Sequence, residues 1–346
     1  MTTNDAIMLP ALDGSNPLGY FAALGLLRIL SDHSMSGKPA PRLSWVNIGR
    51  WAAVVHWPGS KDDLLDLIER DLQPLRAVLR TKQVEPNART EIERNLQSSS
   101  ADLALDFAYD DDGTSVKLGE PVVCDLKPLP ATLRAFHERT ATTLAADSSR
   151  RVAMRRSADI VAAYGSDAAT DNNGRAKPTA FHFTAGQQTF LSMVRELALG
   201  VSRAHFDEAL WGPWQSASKL PSLSWNSAAP RIYALRAGNP AKEKRGSVPG
   251  ADWLAFLALT YFQCASKGRR IRTACVHGGW KDGRFVWPLW AAPITEPVIR
   301  SLLARGDAEH WSTEERNSAG IAAVMRSQIL RSDQGGYGSF TPSAVI

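Results

Sequence analysis

Cysteine is nearly missing from this chain of 346 residues. Only Cys124, Cys264 and Cys275 occur. So odd and sparse a set cannot form a disulfide framework and suits a reducing cytoplasm. Long apolar runs are missing as well. The longest near the N-terminus, Pro17 to Leu27, is closed by Arg28, far short of the ~20 residues that a membrane-crossing helix needs. Asp5 and Asp13 precede it where a secretory signal would carry Lys or Arg. The expectation is a cytoplasmic chain with no membrane contact.

Signatures of catalysis are also lacking. No GxxxxGK[ST] phosphate loop, no dinucleotide fingerprint in strand–helix context, no GxSxG elbow, no HExxH and no CxxC occurs. The seven histidines are scattered, and none is followed directly by an Asp, the His-Asp order of a metal-dependent nuclease dyad. Cys275-x-His277, with Cys264 upstream, is the one Cys/His cluster. On a strand Cys275 and His277 would share a face, but zinc needs four ligands. Asp110-Asp111-Asp112-Gly113 reads as a hairpin turn, since a calcium loop needs a longer ligand set. No catalytic residue, metal or cofactor is therefore nominated, and the expectation is not an enzyme.

What the chain does contain is material for a core. Hydrophobic residues make up 44% and charged residues 22%, near the globular average. Asn16-Pro17 opens a helix that is apolar almost all round, hence buried, in which Gly19 and Gly25 would let another backbone approach. Segments 42–46 and 53–57 read as a strand pair, and 61–79 as a helix with Pro74 as kink or boundary. Further on, 88–96, 128–146, 150–164, 184–198, 203–210, 251–265, 297–303 and 318–330 read as helices. Segments 103–109, 115–118, 181–183, 223–225, 231–236, 272–277 and 284–290 read as strands. This mixture without strict βαβ alternation indicates an α+β fold of antiparallel sheets packed with helices. Two subdomains, 1–146 and 147–346, are expected. The polar run 165–178, with no large apolar residue, is expected to be a mobile loop.

Charge is unevenly placed. Residues 140–290 hold 20 Lys and Arg against 10 Asp and Glu, whereas the remainder holds 20 against 25. Such a basic half suggests an electrostatic face, for which nucleic acid is the default partner. Four clusters carry it. Arg150, Arg151, Arg155 and Arg156 would lie on adjoining stripes of one helix, with Asp159 the nearest carboxylate. Arg175 and Lys177 end the polar run. Lys242, Lys244 and Arg245 lie between Pro240 and Gly250. Lys267, Arg269, Arg270 and Arg272 follow a buried helix. The arginines of the first and last clusters suit bidentate phosphate contacts. His182, between Phe181 and Phe183, would face away from the core towards a phosphate or base. Gln187 and Gln188 carry amides able to pair with adenine edges. Of eleven tryptophans, most are expected in the core, with Trp214 and Trp280 the candidates for stacking on bases. The plain alternative is an uneven solvated surface.

Several segments resemble, in order, proteins of type I-G (formerly I-U) CRISPR loci. LDGSNPLGYFAALGLLRIL (12–30) resembles the opening of their large-subunit-like proteins. TAFHFTAGQQTFLSMVREL (179–197), EALWGPW (208–214), SLSWNSAAPRIYALR (222–236), PGADWLAFLAL (249–259) and FVWPLW (285–290) resemble a family described as an extension of the CRISPR helicase–nuclease. Where that pattern has Asn-Arg, this chain has Asp252-Trp253, so a nucleic-acid contact by that Arg is not carried over. No helicase or HD nuclease motif is present. The resemblance implies a non-catalytic subunit or accessory of a crRNA-guided complex of the Cascade type. Its partners would be DNA and/or crRNA, other complex subunits and the helicase–nuclease. An adaptor docking that helicase–nuclease through the basic face, and a nuclease of unrecognised type, are the alternatives.

Overall fold

The computed structural model describes residues 5–34, 38–81, eight positions between 130 and 145, 151–184, 190–228, 247–332 and 337–346. The expected elements at 88–96, 103–118 and 231–236 lie outside the described residues, as does Cys124.

Helix α1 (Pro17–Asp32) forms as its sequence directs. Asn16 is the N-cap, its Oδ1 accepting from the Leu18 amide at 3.0 Å, with Pro17 in the first turn. Every residue from Pro17 to Leu30 is buried. One flank of α1 meets α6 (Pro249–Leu257) at Gly25, where a Cβ would stand 1.8 Å from the Leu254 carbonyl oxygen. Only hydrogen fits between these two backbones. The helix α2 (Lys61–Thr81) runs through Pro74, so this proline ends nothing. Two turns carry on past it, and Arg76 donates to the carbonyls of Ala198 (2.7 Å) and Val201. Ala198 lies in the last turn of α4 (Phe190–Gly200), whose end carbonyls find no partner inside the helix, and Val201 follows directly after it.

Two antiparallel sheets flank the helices. The first has the order β1 (Ala6–Asp13), β3 (Trp51–His56), β2 (Arg42–Asn47), β10 (Ile294–Thr295). The second has the order β12 (Gly338–Phe340), β11 (Ile321–Arg331), β9 (Arg284–Trp290), β8 (Val276–His277), with β13 (Ala344–Val345) also on β11. The α+β class is thus as expected. β8 reaches only Phe285 and Arg284. Pro288 therefore sits where one side of β9 has no strand partner, the position a strand proline tolerates.

Several expectations are corrected. The segment 318–330 is not a helix. β11 occupies Ile321–Arg331 and mostly alternates, with Ile321, Ala323, Met325, Ser327 and Ile329 buried and Ala322, Arg326, Gln328 and Leu330 exposed. Its Ala, Met, Gln and Leu favour a helix locally, and pairing with β9 overrides them. The polar run 165–178 is not a structureless loop. It contains β4 (Gly165–Thr170) and β5 (Ala176–Pro178), which pair. Residues 181–183 and 223–225 are not strands. The helix expected over 251–265 ends near Tyr261, and Cys264–Lys267 begins a hairpin instead.

One apolar core draws on both sides of the expected 146/147 division, from Leu9 to Phe340. Strand β10 completes the sheet begun by β1–β3. At its centre Tyr20 stacks on Trp45 (5.7 Å between centroids), Phe285 stacks on Trp287 (4.5 Å), and Phe21 meets Phe181 and Phe262 edge-on (5.1 Å each). Trp45, Trp225, Trp253, Trp287 and Trp290 are fully enclosed. The indoles of Trp287, Trp290 and Trp225 donate to the carbonyls of Gly14 (2.8 Å), Leu43 (2.7 Å) and Phe181 (3.0 Å). Each ring's N–H is thereby satisfied while its apolar body stays inside.

Candidate nucleic-acid interface

The basic residues 264–273 form a two-stranded ribbon. β6 (Cys264–Lys267) pairs with β7 (Arg270–Thr273) across the turn Gly268-Arg269, with Gly268 at φ +58°. Residues directly opposite in an antiparallel pair point to one face. Lys267 opposite Arg270 and Ala265 opposite Arg272 share one face. Cys264 opposite Thr273 and Ser266 opposite Ile271 share the other. The first face is solvent-exposed and wholly cationic at its charged positions. No Asp or Glu occurs between 264 and 273. On the inner face, Thr273 is buried and the Cys264 thiol donates to the Ala163 carbonyl at 3.2 Å.

That inner face seats the ribbon on neighbours that carry two other clusters. Ala163 belongs to α3 (Arg151–Tyr164), the helix of Arg151, Arg155 and Arg156. Arg155 is exposed and lies eight residues before Ala163, about 12 Å along the axis. Thr273 approaches Thr179 at 3.3 Å and accepts from the Ala180 amide at 2.9 Å. Lys177 Nζ donates to the Arg269 carbonyl at 2.6 Å, bringing β5 beside the ribbon's turn. The hairpin β4–β5 is itself neutral, because Asp167 and Asp171 balance Arg175 and Lys177. Asp171 is spent on its own turn, accepting from the amides of Asn173 and Arg175. The structure therefore gathers Arg155, Arg175, Lys177, Lys267, Arg269, Arg270 and Arg272 on adjoining elements.

Asp159 does not neutralise this face. Its Oδ2 meets Arg300 at 2.9 Å and Arg28 at 3.6 Å. Arg28 is buried and also binds Glu296 (2.7 Å) and Asp32 (3.1 Å), while Arg300 binds the same Glu296 oxygen at 2.7 Å. Burial opposes ionisation of Glu296, but Arg28 and Arg300 outweigh it and hold its carboxyl below the usual range. This network ties α1, α3 and α7 (Glu296–Arg305) together, and Asp159 is engaged there.

Other expected residues separate from the face. His182 is a correction. It is buried, its Nε2 lies 2.9 Å from Thr184 Oγ1, and it cannot meet a phosphate. Phe181, His182 and Phe183 all turn inward because this segment is not a strand and has no alternation. Arg150, Gln187, Gln188, Lys242, Lys244 and Arg245 lie outside the described residues, as do the side chains of Arg151 and Arg156.

The Cys/His group is not assembled. Cys275 has φ +62° and interrupts the expected 272–277 strand. Its thiol donates to the Leu303 carbonyl at 3.4 Å, and burial pushes its pKa up to about 12. Burial likewise pushes the Cys264 thiol up to about 11. Such thiols are poor ligands and poor nucleophiles. His277 lies instead beside His310, with ring centroids 6.4 Å apart. Among the described residues no group of His, Cys, Asp or Glu could hold a metal ion, and no helix is long and apolar enough to cross a membrane.

No family model, no curated protein and no solved structure matches this chain.

Two residues gain a role that no local pattern shows. Arg331 lies over Trp280, its Cζ 3.7 Å from the ring centroid. It was hidden because its segment reads as a helix, and only the β11 register directs it here. Asp252 is visible in sequence only as a departure from the family pattern. In the structure it is fully buried, its Oδ1 accepting from the Leu223 amide at 2.9 Å.

Proposed function

We propose that this chain is a non-catalytic, nucleic-acid-binding subunit or accessory of a crRNA-guided type I CRISPR interference complex. It holds the backbone of DNA or RNA on its basic face, beside other complex subunits and the helicase–nuclease. The observation that carries the binding is the β6–β7 ribbon, which presents Lys267, Arg270 and Arg272 on one exposed face without a carboxylate. Like charges so placed repel in the free protein, and phosphates relieve that repulsion. The CRISPR setting is supported by the ordered resemblance spread from residue 9 to the C-terminus, not by the ribbon.

The test is binding of a labelled oligonucleotide at 50 and 200 mM salt. The triple variant Lys267→Ala/Arg270→Ala/Arg272→Ala should bind more weakly and lose about 2–3 from the slope of log K against log salt, at ~0.7–0.9 per phosphate contact. Unchanged affinity and slope would reject the face. Co-expression with a guide RNA and the neighbouring genes tests the setting. A helicase–nuclease that co-purifies after nuclease treatment, with no oligonucleotide bound, would assign the face to an acidic protein surface instead.

A further inference from the structure

We infer that Trp280 is a stacking shelf for one unpaired nucleobase, so that the strand held on the basic face is single-stranded at this point. The inference rests on the proposed nucleic-acid reading and goes beyond it. Trp280 is 43% exposed and is the one aromatic among the exposed large hydrophobic residues described, whereas five other tryptophans are sealed in the core. An exposed indole forgoes burial that would stabilise the fold.

The ring is nonetheless held firmly. Arg331 covers one face at 3.7 Å. That guanidinium is fixed from behind by the carbonyls of Ala180 (2.5 Å) and His182. The loop bearing Trp280 is tied by the Gly279 amide to Asp282 Oδ1 at 2.8 Å. Arg331 lies over one face of the ring, and 43% of the residue stays exposed. A rigid indole with a free face and a cation behind it is what a base needs to stack upon.

Its location adjoins the ribbon. Ala180, whose carbonyl fixes Arg331, donates its amide to Thr273 of the ribbon. Trp280 is therefore three contacts from β7, on the side of Thr273, and a strand held on Arg270 and Arg272 reaches it by passing round the ribbon's edge. Stacking reads no sequence, because every base has a π-face. A paired base in a duplex offers no free face, so the shelf selects unpaired strands.

The experiment is fluorescence anisotropy of the full chain with labelled 12-mers: oligo-dT, the matched oligo-rU, an oligo-dT of equal charge whose central positions are abasic, and a duplex. Trp280→Ala should weaken binding to oligo-dT about tenfold while leaving the abasic strand and duplex unchanged. Trp280→Phe should recover most of the loss. Equal weakening on oligo-rU extends the shelf to RNA, and loss on oligo-dT alone restricts it to DNA. Unchanged oligo-dT binding by Trp280→Ala, or an equal loss on the abasic strand, overturns the shelf. The ribbon variant Lys267→Ala/Arg270→Ala/Arg272→Ala separates the two ideas. If it weakens all four ligands while Trp280→Ala changes none, the basic face stands and the shelf fails. No binding of any oligonucleotide by the unaltered protein overturns both.

Discussion

Asp252 is an uncommon residue in so apolar a place. It sits in the first turn of α6 among Trp253, Leu254 and Phe256. Burial pushes its pKa up to about 7, partly countered by hydrogen bonds from the Leu223 amide and Ser222. The folded chain thus keeps a proton on this carboxyl up to about pH 7, whereas the unfolded chain releases it near 3.8. Its contribution to stability is full below the lower value and is lost as pH rises through the upper one. Relative to Asp252→Asn, the unaltered protein should lose of order 2 kcal/mol between pH 5 and pH 8, measured by urea unfolding. A difference that stays flat would show an ionised Asp252. Gly25 gives a second prediction. A methyl group there must force α1 from the Leu254 carbonyl, so Gly25→Ala should cost about 3 kcal/mol in the same measurement. An unchanged midpoint would mean that the two helices part freely.

At the scale of elements, the cationic helix α3 is anchored by a carboxylate that pairs with arginines of other elements. Asp159 locks α3 to Arg28 and Arg300. Removing it leaves a buried Arg28 with one fewer partner, for which the usual cost is about 3 kcal/mol. Asp159→Ala should therefore destabilise by that order in chemical denaturation. It should also weaken oligonucleotide binding, although it removes a negative charge. Tighter binding with unchanged stability would instead show that Asp159 masks the basic face. The strand β11 teaches a related lesson. Its alternation of buried and exposed residues is present in the sequence, but Val324 interrupts it and good helix formers fill it. Only β9, β12 and β13 beside it decide the outcome.

At the scale of the molecule, one core joins the N-terminal hairpin β2–β3, the buried helices α1 and α6, and the strands β9 and β11. A core shared in this way predicts one cooperative transition. Far-ultraviolet circular dichroism and tryptophan fluorescence should give coincident urea curves. Two separated transitions would instead favour the division into two subdomains near residue 146.

The amino-acid order alone determined the buried helix α1 with its Asn16 cap, the β2–β3 pair, the helices α2, α3, α5 (Arg203–Trp211) and α7, and an α+β class. Each follows from caps, periodicity and turn chemistry within a few residues. The sequence also marked where positive charge concentrates. Only the tertiary structure decided which cations share a surface, because ribbon register and helix seating join Lys177, Arg155 and Arg272 across long stretches of chain. It also removed His182 to the core and brought Arg331 beneath Trp280. Those outcomes depend on contacts between distant segments, which no local pattern of residues encodes.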